Sequence, residues 1–332
     1  MKAKLSLLAL AIAAAPAMAE LSEEAGFSGE ISLNTGYMSS SSHFDTDGDK
    51  TLTEANSTKK AESNGDFLAL PLGSVAYTFG SHLDKQVYAG TAREDIAVGN
   101  LALEIGYKQE FASGMVIDAS FLPTIMSGET WSDPYLLNAE RQTTDESGNA
   151  YRLKFENILG SNFTLDTAYA TKDVSDEQSG MGVFDPATEQ DSIGALQRDS
   201  SSIYVKGEYQ ISLNETSFLQ PSLTYVKTDA DGKANSSTSF GGELSYFKIL
   251  NRHQFALTAS YTTRSFDAVN PLFDKTRDES ELSFFAAYEY QDFMGWQDWS
   301  LISFAGYGTT DANIDFYDED EYLMSVGMNY QF

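Results

Sequence analysis

Cysteine is absent from all 332 residues, which removes disulfides, thiolate metal sites and cysteine nucleophiles together. Histidine is nearly so, since His43, His82 and His253 are the whole supply. Cations are also few: Lys+Arg number 21 against Asp+Glu 49, and a formal charge of −28 argues against nucleic-acid binding. Beyond the first residues, no apolar run approaches the roughly 20 residues that a spanning helix needs. Aromatics, by contrast, make up 13%, with Tyr 18 and Phe 21, which is plentiful for so polar a chain.

The first residues carry Lys2 and Lys4, an apolar run from Leu5 to Ala15, and Ala17-Met18-Ala19 before Glu20. This order of basic, apolar and small-residue segments is that of a secretory signal peptide over 1–19. Cleavage there leaves a single expected domain over 20–332, and the fold is read from that part.

From Phe27 the chain alternates, with Phe27, Gly29, Ile31, Leu33, Thr35 and Tyr37 on one face and Ser28, Glu30, Ser32 and Asn34 on the other. A period of two is the mark of a strand. The same pattern returns in Leu101-Leu103-Ile105-Tyr107, Tyr151-Leu153-Phe155, Ile203-Val205-Gly207-Tyr209, Phe255-Leu257-Ala259-Tyr261 and Leu282-Phe284-Ala286-Tyr288. No segment shows a helical period. Connections alternate between short (near 81–85, 112–114, 160–162, 213–216, 250–252 and 292–297) and mostly longer, polar ones (near 39–65, 94–99, 127–148, 174–199, 229–236, 266–278 and 310–318). Outer-membrane barrels have short periplasmic turns and long extracellular loops. The spacing predicts an all-β, transmembrane up-and-down antiparallel barrel of about 14 strands (12 to 16). The last strand alternates through Tyr322, Met324, Val326, Met328, Tyr330 and Phe332, and a final alternating strand ending in Phe is similar to the assembly signal of Gram-negative outer-membrane barrels.

Four stretches resemble an uncharacterised family of Gram-negative outer-membrane β-barrel proteins: Phe27-Ser-Gly-Glu-Ile-Ser-Leu-Asn-Thr-Gly-Tyr37, Leu70-Pro-Leu-Gly-Ser-Val-Ala-Tyr77, Gly128-Glu-Thr-Trp-Ser-Asp-Pro-Tyr135 and Asn149-Ala-Tyr-Arg-Leu153. The strand count is loosely similar to that of monomeric fourteen-stranded porins. The resemblance implies a barrel in the outer membrane and carries no activity, so function has to come from the residues.

If the apolar parity faces lipid, the other parity lines a lumen. That places a basic wall of Arg152, Lys154, Lys172 and Lys206 on the sixth to eighth strands. An acidic wall of Glu30, Glu281, Glu289 and Glu321 lies across the ring from it. Either the walls set up a transverse field that orients polar solutes, or they form local cross-strand salt bridges. Fourteen strands leave room for water unless loops plug them.

Two loops hold further candidates. Asp45, Asp47 and Asp49 have the 1, 3 and 5 spacing of a calcium loop, but Lys50 stands where Gly is wanted and Asn56 where a bidentate Glu should close the shell. The alternatives are a Ca2+ site and a solvated acidic loop; no other cofactor is called for. The second loop holds Glu129, Trp131, Asp133, Tyr135 and Arg141, which either constrict the pore and stack a sugar or form a small core among the loops. The function expected is a porin-like channel for passive diffusion of small polar solutes, oligosaccharides among them. The alternatives are a structural or adhesive barrel and, third, an outer-membrane hydrolase, for which no catalytic residue is assigned. Expected partners are outer-membrane lipid, lipopolysaccharide, small solutes and the barrel-assembly machinery.

Overall fold

The alternating segments do become strands. In the computed structural model, which describes residues 21–22, 24–91, 103–123 and 128–332, they are β1 (Gly26–Ser40), β2 (Asn64–Phe79), β3 (Lys85–Thr91), β4 (Leu103–Glu110), β5 (Val116–Pro123), β6 (Gly128–Trp131), β7 (Thr143–Glu156) and β8 (Phe163–Val174). There follow β9 (Ser200–Tyr209), β10 (Ile211–Asn214), β11 (Ser217–Ala230), β12 (Ser237–Leu250), β13 (His253–Asn270), β14 (Lys275–Gln291), β15 (Trp299–Ala312) and β16 (Glu319–Gln331). The expected signal peptide, 1–19, and the connection near 94–99 lie outside the described residues.

Successive strands pair antiparallel around a closed ring of fourteen staves. The two remaining strands are continuations: β6 extends the path of β5 along β7, and β10 extends that of β9 along β11. Closure is made by β1 on β16, from Glu30↔Gln331 to Ser40↔Glu321, and reciprocal backbone bonds of 2.9 Å between Gly29 and Phe332 finish the seam. Register sorts the side chains as the period of two requires: Leu33 (64% exposed), Phe67 (85%), Ile105, Leu257 and Met324 point outward, while Glu30, Ser32 and Asn34 point in and are buried.

At one end the staves are joined by tight turns. Leu250 pairs with His253 across Asn251-Arg252, and Asn251 takes φ 56°, the left-handed conformation that two-residue hairpins demand. At the other end the connections are longer, with one correction to the expected pattern. The span 266–278 is mostly strand, because β13 and β14 run on to Asn270 and back from Lys275, past a register shift between Ser265 and Val269. The irregular stretch interrupts the alternation that sequence reading depends on, so a protruding hairpin reads as a loop.

The seam admits little bulk. A Cβ on Gly327 would overlap the Leu33 carbonyl oxygen and the Asn34 side chain, and one on Gly36 would overlap the Met324 carbonyl oxygen. Gly327→Val should therefore force β1 from β16 at a cost of about 3 kcal/mol. The check is the heat-modifiable gel mobility of protein refolded in detergent, where the folded fraction should fall sharply.

Candidate functional site

Inside the ring, the period-two pattern sets charged residues on neighbouring staves β4 to β9. Arg152 on β7 grips Asp166 on β8 through Nε (3.0 Å to each oxygen) and Nη2 (2.7 Å), and its Nη1 lies 3.6 Å from Glu104 on β4. Lys206 on β9 reaches Glu243 at 3.1 Å and Glu208 at 3.4 Å, Lys154 lies 3.7 Å from Glu156, and Lys108 lies 3.6 Å from Asp118. Tyr88 donates to Asp118 at 2.8 Å. Lys172, half exposed and nearer the loops, meets Glu146 at 3.2 Å. The four cations of the basic wall thus stand among carboxylates, in a lattice of alternating sign.

Across the ring, Glu30 on β1 accepts from Asn329 Nδ2 at 2.9 Å, and Glu289 on β14 is buried. Glu281 and Glu321 line a cavity of about 320 Å³ together with Arg264, Arg277, Glu279 and Glu319. Arg264 pairs with Glu279 at 2.8 Å, and Arg277 lies 3.5 Å from the same carboxylate with its guanidinium against the Phe266 and Tyr317 rings. Four carboxylates against two guanidiniums leave this cavity with a negative balance.

Above the lumen the long connections converge. Leu52, Tyr135, Leu196, Ala234, Phe316 and Tyr317 form one buried apolar cluster, joined by Phe44, Leu137, Phe184, Leu272 and Phe273. These residues come from six connections hung around the ring, so the cluster bridges the mouth as a cap. The Tyr135 and Tyr317 hydroxyls lie 2.8 Å apart, and Asn270 Nδ2 donates to Tyr317 at 2.8 Å. Trp131 is fully buried under the Arg141 guanidinium, 4.2 Å from its ring, and Arg141 donates to the carbonyls of His43 (2.7 Å) and Asp49. Asp133 accepts from the amides of Tyr135 and Gly180 at 3.0 Å and of Gly182 at 2.8 Å, tying two loops together, whereas Glu129 is exposed. The structure therefore brings Trp131, Asp133, Tyr135 and Arg141 together as a core among the loops. Burial pushes the Tyr135 and Tyr317 hydroxyls above their ordinary pKa and lowers that of Arg141 to about 10, leaving it charged at neutral pH.

In the first loop the Asp45 carboxylate accepts from the Asp47 amide at 3.0 Å, an ordinary Asx turn, and among the described residues no three acidic or histidine side chains gather as a metal would need. The three histidines stand far apart in role: His43 is buried in the cap, His82 bonds to Ser81 in an exposed turn, and His253 bonds to Tyr288.

Sequence reading missed two groups. One is Arg198, buried in the cap on Glu177 (2.7 Å) and on the Trp131 carbonyl (2.6 Å), because irregular loops carry no period. The other is a set of apolar side chains that point inward, including Leu72, Phe218, Phe247, Ile302 and Phe304. Neighbouring apolar pairs such as Tyr246-Phe247 and Leu301-Ile302, greasy on both parities, were the available signal.

With this geometry in view, residues 26–331 match DUF2860, described as a protein of unknown function. The chain belongs to this family. No curated protein matches the sequence. Among solved structures it is similar to the outer-membrane channel DcaP of Acinetobacter baumannii (9% identity, 94% of this chain and 99% of that one, TM-score 0.44). It is also similar to OccAB2 of the same organism (11%, 92% and 98%, TM-score 0.40) and to the outer-membrane protein OprD of Pseudomonas aeruginosa (11%, 94% and 97%, TM-score 0.40). Scores and identities this low transfer neither solute nor mechanism to the DUF2860 chain, whose barrel stands on its own pairing.

The cap should respond to acid through His43. Its Nε2 lies 2.8 Å from the Lys59 carbonyl and its ring stacks on Phe316 at 4.5 Å, with Arg141 and Asp49 as the charged neighbours. Burial depresses its pKa below 6.5, and Arg141 adds to this, against weaker opposition from the Lys59 carbonyl and Asp49. A neutral imidazole buried this way contributes full stability above pH 6.5 and loses it as pH falls below that towards the folded-state pKa. Acrylamide quenching of Trp131, isolated by Trp296→Phe and Trp299→Phe, should therefore rise as pH drops below 6.5 and stay flat in His43→Phe.

Proposed function

We propose that this chain is an outer-membrane channel for passive diffusion of small polar solutes, with the loop cap controlling access to a charged lumen. The observation that carries this is the sorting of side chains on one closed sheet, apolar outside and ion-paired within. A closed barrel leaves no unpaired backbone in hydrocarbon, and its exposed Leu, Ile, Phe and Met side chains suit acyl tails. The exposed aromatic pair Tyr330 and Phe332 suits recognition by the barrel-assembly machinery, and the acidic loops suit divalent bridging to lipopolysaccharide. Because local pairs neutralise much of the basic wall, the net field comes from the acidic cavity around Glu281 and Glu321, which favours cations. Stacking of a sugar on Trp131 and Tyr135 is left out of the proposal, since protein covers both rings.

The apolar centre of the cap supports a second reading, a structural barrel without an open pore. Planar-bilayer recording separates the two. Full-length channels should give small, cation-preferring steps, and deletion of 130–140, which takes out Trp131, Asp133, Tyr135 and Leu137, should enlarge them several-fold. Silence from both proteins would leave the structural barrel. Membrane insertion is checked separately by folding into lipid vesicles: the outward Leu257→Arg should cost about 2 to 4 kcal/mol, and the inward Ser260→Arg far less.

A further inference from the structure

The inward apolar side chains are contiguous. Reading across the sheet, Phe218 on β11 is opposite Phe247 on β12, which is opposite Ala256 on β13, then Ala287 on β14, then Phe304 on β15. The Phe218 and Phe247 rings stack at 4.5 Å. The two alanines between Phe247 and Phe304 leave a recess in the wall, and a cavity of about 70 Å³ occupies it. Its lining continues to Leu72 and Ile302, so near the tight turns one sector of the lumen, from β11 round to β2, is greasy where the facing sector is an ion-pair lattice.

The charged groups at this recess are of one sign. Glu30 and Glu289 line it, both about 95% buried, and no lysine or arginine is among its described lining residues. Gln254, the cross-strand partner of Glu289, is 4% exposed, lines the same cavity, and its Oε1 has no hydrogen-bond partner. A buried carbonyl oxygen without a donor is costly, and it stands beside two carboxylates and a hydrocarbon wall. A ligand that suits all three features brings N–H donors, a positive charge and a small apolar body.

We propose that this recess is a binding site for a primary ammonium compound with a small apolar or aromatic body, held by Glu30, Glu289 and Gln254 while its hydrocarbon part lies on Ala256, Ala287 and Phe304. The site deepens the channel reading in that it rests on a lumen open to solutes, yet it can be tested without conductance. Gln254 and Glu289 stand within two residues of the strand ends at the tight turns, so a solute reaches the recess at the end of the barrel opposite the cap.

Phenethylammonium, 2-phenylethanol and phenylacetate share one apolar body and differ in charge. Calorimetric titration of each into the detergent-folded full barrel should give binding in that order, with the ammonium at least about tenfold tighter than the carboxylate. Glu289→Gln should weaken the ammonium at least about tenfold and narrow its margin over the alcohol. Ala256→Phe, which fills the recess, should abolish binding while retaining heat-modifiable mobility; should that variant not fold, Gln254→Leu serves, with a loss for the ammonium larger than for the alcohol. Equal binding of the three compounds, or an unchanged Glu289→Gln, would overturn the site. A barrel that binds but never conducts keeps the site and removes the channel; one that conducts without discriminating the three does the reverse.

Discussion

Backbone pairing is the constraint on which the rest depends. A strand in hydrocarbon must satisfy every N–H and C=O from its neighbours, and a sheet does so only by meeting itself. Here the meeting is β1 on β16, where glycines at 36 and 327 let the two backbones approach and Phe332 closes the register against Gly29. Once the ring is closed, the period of two decides which side chains see the outside and which the lumen. The recess could not exist on an open sheet, because Glu30 and Leu72 join Gln254, Glu289 and Phe304 only across the seam of β1 and β16.

The interior divides the work between two kinds of wall. From β4 round to β12, opposite charges hold one another, as in Arg152 with Asp166 on the next stave and Lys206 with Glu243 two staves away. Such pairs keep a polar wall without setting up a strong net field, since each cation has a carboxylate beside it. Near the tight turns of β11 to β15 the inward positions carry Phe and Ala, and the charged groups beside them are carboxylates. A lumen with one zwitterionic and one apolar wall suits solutes that are themselves two-faced.

The cap follows from loop length. Six connections that are individually too short or too polar to fold alone pool their few apolar residues over the mouth, where Leu52 and Leu196 reach complete burial. Buried polar links, the two tyrosine hydroxyls and Arg141 on the His43 carbonyl, specify how the loops meet. His43 is buried in this assembly against Phe316, and the burial that lowers its pKa couples the cap to acid.

Sequence alone determined the strands, their approximate number and their two faces, since alternation is a local property and a lipid-facing side must be apolar along its whole length. It also placed Arg152, Lys154 and Lys206 across the ring from Glu30, Glu289 and Glu321, because stave number follows from counting. Only the tertiary structure decided which carboxylates neutralise those cations, Asp166 on the next stave for Arg152, Glu156 on the same strand for Lys154, and Glu208 on the same strand with Glu243 two staves away for Lys206, as register to within one residue sets which charges touch. It alone decided that Trp131 and Tyr135 are buried in the cap, because aperiodic loops find their partners through contacts between segments up to 182 residues apart. The inward Phe247 and Phe304 were hidden for a related reason: an apolar residue beside another reads as one greasy strand, and only closure of the ring shows which of the two looks into the lumen.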